Sequence, residues 1–173
     1  MAVAFTLDDL LDYSDWERSQ WHVWLREQGP ASLAVDLGPH NSGRIGRIGE
    51  LVRHIFSAEK RYVERCVKAP LTDTSTIPAD DVEALFAFGN ESRRALRTLL
   101  ASFPDAEWDA LREMSFGTHT RLVTCRKMVV QAVTHELRHW AQIAAFLRQA
   151  GYKPGFHDVI ASPLFDSDSV RSE

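Results

Sequence analysis

Two histidines, His135 and His139, stand four residues apart inside a long run of helical apolar spacing. At 3.6 residues per turn such a pair shares one helix face, with Cβ atoms roughly 6 Å apart. Two neutral imidazole nitrogens at that separation can hold one divalent metal ion and leave coordination positions open. The surrounding helix is apolar on most sides (Val129, Val133, Leu137, Trp140, Ile143 and Leu147 among others), so the pair is expected to be at least partly enclosed. A third histidine, His54, stands in the run Leu51-Val52-Arg53-His54-Ile55-Phe56. Helix bundles build metal sites from side chains on facing helices. Three imidazoles completed by water make an open site of the catalytic kind.

The stretch His135-Glu136-Leu137-Arg138-His139 also fits H-E-x-x-H, the zinc-peptidase pattern in which the Glu is the base. The extended pattern needs Gly and His where Gln142 and Ala145 stand, and no Glu follows until Glu173. A peptidase is therefore not expected. Glu136 could still reach metal-bound water; its alternative role is an outward salt bridge. Gln142, seven positions after His135, shares its face and could orient a ligand or simply pack. Glu136 and Gln142 are the catalytic candidates. Arg53, Arg138 and Arg148 could bind a carboxylate of a substrate or cofactor, or lie on a solvated face. Cys66 and Cys125 fall within helical patterns and read as core thiols. His22, His40, His119 and His157 have no partner at a metal-ligand spacing.

Four long helices must position these groups. The first spans about Leu7 to Gln28, with Thr6 as cap, Asp9 three residues later and Gly29-Pro30 as its end. The second spans about Ile45 to Val67; Gly46 and Gly49 weaken its start or permit close packing there. The third spans about Ala79 to Ser102, with Pro78 near its first turn. A short helical turn is expected around Asp105 to Met114. The fourth spans about Cys125 to Ala150, capped by Thr124 and closed by Gly151. Segments 29–43, 68–78 and 115–124 read as connections, and no strand is expected. Phe156, Val159, Ile160, Leu164 and Phe165 suggest that part of the tail packs down, with fraying expected at Asp166 to Glu173. Four amphipathic helices predict an all-α four-helix bundle, one domain over residues 1–165.

Composition narrows the class further. The chain has 173 residues, 45 % apolar and 25 % charged, with a net charge of −4. That balance argues against a general nucleic-acid binder, which needs a basic face. No apolar run approaches the roughly 20 residues that span a bilayer. The amino terminus turns acidic instead of showing a basic, then apolar leader. Two cysteines are too few for a disulfide framework. The expectation is a cytoplasmic protein without nucleic-acid or membrane partners.

The phrases around the three histidines, with Tyr13-Ser14-Asp15-Trp16-Glu17-Arg18 and Leu147-Arg148-Gln149-Ala150-Gly151, resemble the DinB/YfiT-like family over about residues 5 to 165. The name denotes the damage-inducible family, not the DNA polymerase that shares it. The resemblance implies an up-down-down-up bundle, often a homodimer. It also implies a divalent metal, zinc or nickel, on His54, His135 and His139. Some members of that family are thiol-dependent transferases or isomerases. The expected function is therefore transfer of a metal-activated low-molecular-weight thiol to a small-molecule substrate. The alternatives are a non-catalytic metal-binding stress-response module and a hydrolase using activated water.

Overall fold

The computed structural model describes residues 5–38, 45–116 and 118–164. Its first helix, α1 (Leu7–Gln28), starts at the expected capping box. The Asp9 N–H donates to the Thr6 hydroxyl at 3.1 Å, and the Thr6 N–H donates to the Asp9 carboxylate at 2.7 Å. Gly29, at φ 72°, ends it, and Pro30 opens an additional single-turn helix, α2 (Pro30–Leu33). The second long helix, α3 (Ile48–Cys66), begins three residues later than Ile45. The reason is that the preceding backbone is committed elsewhere. Leu37 N–H donates to the Gly46 carbonyl at 2.9 Å, Ile48 N–H donates to the Val35 carbonyl at 3.0 Å, and Asp36 bridges Arg47. The third, α4 (Val82–Ser102), starts at the Asp81 cap, so Pro78 lies before the helix and not in its first turn.

The expected short helix over Asp105 to Met114 is only a 3₁₀ turn, Asp105–Glu107. A hairpin follows, and it overturns the expectation of no strand. Strand β1 (Leu111–Phe116) pairs antiparallel with β2 (His119–Thr124), from Leu111 opposite Thr124 to Phe116 opposite His119. The last long helix, α5 (Cys125–Gln149), is capped by Thr124. It closes with Gly151 N–H donating to the Arg148 carbonyl and Tyr152 N–H to that of Leu147, a Schellman ending with Gly151 at φ 88°. Part of the tail packs down, with Leu164 half-buried and the His157 ring stacked on Trp21 at 4.3 Å, but Phe156, Val159 and Ile160 are exposed. The expectations for His40, Phe165 and Asp166 to Glu173 fall outside the described residues. No helix among the described residues is long and apolar enough to cross a membrane.

Side-chain pairings give the helix directions. Arg97 meets Asp12 and Asp15 while Arg26 meets Glu83, so α1 and α4 are antiparallel. Glu59 meets Arg93 while Gly89 lies against Phe56, so α3 and α4 are parallel. His54 faces His135 and Cys66 faces Cys125, so α3 and α5 are antiparallel. The protein is a mostly helical up-down-down-up bundle with a small two-stranded sheet. Parallel neighbours require a connection that runs back along the bundle. Segment 67–81 does so beside α3 and ends against Gly49, where a Cβ would stand 1.7 Å from the Ala79 carbonyl oxygen. Gly49 thus serves close packing.

The core has two apolar clusters. One gathers around Trp21, Phe56, Phe86 and Trp140, the other around Leu11, Val63, Leu96 and Val133. Between them in sequence on every long helix stand buried polar groups: Ser14 and Arg18 on α1, Glu59 on α3, Arg93 on α4 and Glu136 on α5. Glu136 is 1 % exposed. It is ion-paired to Arg18, and at 2.6 Å to Arg93, and accepts from the Ser14 hydroxyl and the Trp140 indole. Glu59 pairs with both arginines as well. Burial pushes the Glu136 carboxyl up, but Arg18 and Arg93 outweigh it and hold it below the ordinary carboxylate range. Removing one member of a buried ionic set strands the others. Glu136→Ala is expected to cost roughly 3–5 kcal/mol of stability, measured by equilibrium urea unfolding. A loss below about 1 kcal/mol would show that the layer carries little.

Candidate metal centre

His54 projects from the middle of α3, and His135 and His139 from successive turns of α5. Because the two helices pack antiparallel, all three rings meet. His135 Nε2 lies 3.2 Å from His54 Nε2 and 3.0 Å from His139 Nε2. Ligand nitrogens of all three lie within 4.8 Å of one another. His135 is buried and the other two are half-buried.

This donor set fits a divalent metal. With metal–nitrogen bonds of about 2.0–2.1 Å, two imidazoles on one tetrahedral ion stand about 3.3 Å apart, close to the separations seen. Ligand imidazoles must be neutral, and these are held so. Burial, followed by the neighbouring His139, Arg61 and Arg138, pushes His54 down to about 4. Burial and the other two histidines push His135 down to about 3. Burial also lowers His139, although its bond to Gln142 opposes the shift. His139 Nδ1 sits 2.5 Å from Gln142 Oε1, an acceptor that places the proton on Nδ1 and leaves the Nε2 lone pair facing its partners. Gln142 therefore orients His139. His135 lacks such support, since its Nδ1 is buried without a hydrogen-bond partner in the described residues.

The imidazoles open onto a cavity of about 1030 Å³. Arg53, Arg61 and Arg138 line it from the helices, and Asp73, Thr74 and Ser75 of the connection before α4 form its wall. Three neutral ligands with one open side can accept a small molecule beside the ion. Arg53 donates to the Ile77 carbonyl at 2.8 Å and so pegs the wall to α3. Arg148 lies elsewhere, in a separate cavity with Glu17 and His157. Both cysteines are free and buried, and neither lines the cavity.

Glu136 is not where the peptidase pattern requires its base. It was expected near the metal or in an outward salt bridge, and it occupies neither place. One residue after His135 is a 100° turn, and that turn carries it into the ionic layer with Arg18 and Arg93. His22 instead stacks on Phe86 and meets Glu83. Arg61 and the wall residues 73–75 were missed from the sequence. Arg61 stands seven positions after His54, two helical turns along the same face, which was the available signal.

Residues 1–164 match the family model described as DinB family. No curated protein matches the chain.

The depressed imidazoles carry a stability consequence. Their folded values lie below the ordinary 6.5, so the unfolded chain takes up protons first as the pH falls. Stability from this cluster is complete above about pH 6.5 and is lost progressively toward pH 4 and below. In chelator-treated protein, the urea midpoint should fall across that window more steeply than in a His54→Gln/His135→Gln variant. Parallel pH dependences would contradict the buried, neutral assignment.

Proposed function

We propose that this chain, which belongs to the DinB family, is a metal-dependent enzyme that transfers a small-molecule thiol, with His54, His135 and His139 as the ligands of one divalent ion. The observation that carries the reading is the convergence of three Nε2 atoms on one point beside a cavity. A divalent ion there would lower the pKa of a bound thiol or water by several units. The chain's own part is to hold three uncharged ligands, to fix His139 through Gln142, and to enclose the substrate between α3, α5 and the wall at 73–75. Cys66 and Cys125 are remote from the cavity, and burial pushes the Cys66 thiol up to about 12. A nucleophilic sulfur must then come from the ligand. That supports thiol transfer, toward which the family resemblance also points. The burial of Glu136 speaks against a peptidase-like hydrolase, because the base of that mechanism is tied into the core.

Metal analysis and thiol turnover test the proposal. Purified protein should bind one zinc or nickel ion per chain. His135→Ala should weaken binding by roughly a hundredfold or more, and Gln142→Ala by about tenfold. The metal-loaded protein, mixed with bacterial low-molecular-weight thiols and monochlorobimane, should give turnover that disappears in His54→Ala. Equal metal binding by wild type and His135→Ala would end the metal assignment. Metal binding with no thiol turnover would leave a non-catalytic metal module, and ester cleavage without thiol would indicate activated water.

A further inference from the structure

The charges around the centre are unevenly engaged. Glu50 accepts from the Gly46 N–H at 2.6 Å, and Asp73 accepts from the N–H and hydroxyl of Ser75 at 2.9 and 2.7 Å. Arg53 is taken up by the Ile77 carbonyl, and Arg61 donates to the Thr74 hydroxyl at 3.2 Å. Arg138, immediately before His139 on α5, lines the same cavity and makes no hydrogen bond or ion pair with any described residue. Arg138 is exposed, and its five donors meet no acceptor among the described residues, in a cavity whose three lining arginines outnumber its two acids.

We infer that Arg138 binds a carboxylate of the small molecule that occupies the three-histidine cavity. This rests on the reading of that cavity as a substrate site. A guanidinium offers two parallel N–H donors that match a carboxylate, and one such group balances one negative charge. A site of this volume holds a molecule large enough to reach from Arg138 to the imidazoles. Arg138 is thus a specificity-determining residue. It selects acids over neutral analogues and places their other end beside the histidines.

Calorimetric titration of zinc-loaded protein with 3-mercaptopropionate and 2-mercaptoethanol tests this, because the two thiols differ in the carboxylate. Wild type should bind the acid about tenfold more tightly or better. Arg138→Ala should bring the ratio close to one, and Arg138→Lys should retain part of it, all with unchanged zinc content. Equal affinities in wild type, or an undiminished preference in Arg138→Ala, would overturn the inference. So would stronger competition by inorganic phosphate than by acetate, which would assign the arginine to a phosphate. If zinc does not load, the metal reading fails by itself. The Arg138 Nε–H resonance, identified by its loss in Arg138→Lys, then decides under acetate titration. A saturable shift supports carboxylate binding, and no shift refutes it.

Discussion

A layer of buried charge between two apolar clusters sets the geometry of this bundle. Arg18, Glu59, Arg93 and Glu136 come one from each long helix. Charges removed from water are tolerated only when each finds its partners. A helix that slid or rotated by one residue would leave an ion against hydrocarbon. The layer therefore fixes the rotation of all four helices together. On α5, Glu136 must point inward, and a neighbour on a helix lies 100° away. His135 and, one turn on, His139 are thereby aimed at α3, where His54 meets them.

The cavity follows from a different constraint. Because α3 and α4 are parallel neighbours, the chain must travel back along the bundle between them. It does so as an irregular segment beside α3, held by Arg53 at the Ile77 carbonyl and by Arg61 at the Thr74 hydroxyl. Close approach at its end leaves no room for a side chain at Gly49. The same segment contributes residues 73–75 to the wall of the cavity. Two helices hold the imidazoles and a connection shapes the space beside them. The three imidazoles thus sit on packed helices, while the connection at 73–75 and Arg138 line the space beside them.

Much of the fold was legible in the chain. The caps at Thr6 and Thr124 and the stop at Gly151 were readable because each acts within a few residues. The hairpin was not. In the sequence the pair Gly117-Thr118 stands between Leu111 to Phe116 and His119 to Thr124, a Gly-X spacing that could have signalled it. Both strands carry polar residues and little burial, so their alternation is faint. The ionic layer also left a trace: Arg18 stands at the core phase between Ser14 and Trp21, where an apolar residue belongs. That single charge in an apolar stripe marked a buried partner elsewhere without naming it.

The sequence alone determined the helical class, the caps and the three histidines, because period and side-chain chemistry are local properties. Tertiary structure alone decided that Glu136 turns into the core, that His54 closes on the α5 pair, and that Arg138 meets no hydrogen-bond or ion-pair partner among the described residues. Those outcomes depend on how helices distant in sequence rotate against each other. That rotation is settled by the pairing of buried charges, not by any one segment.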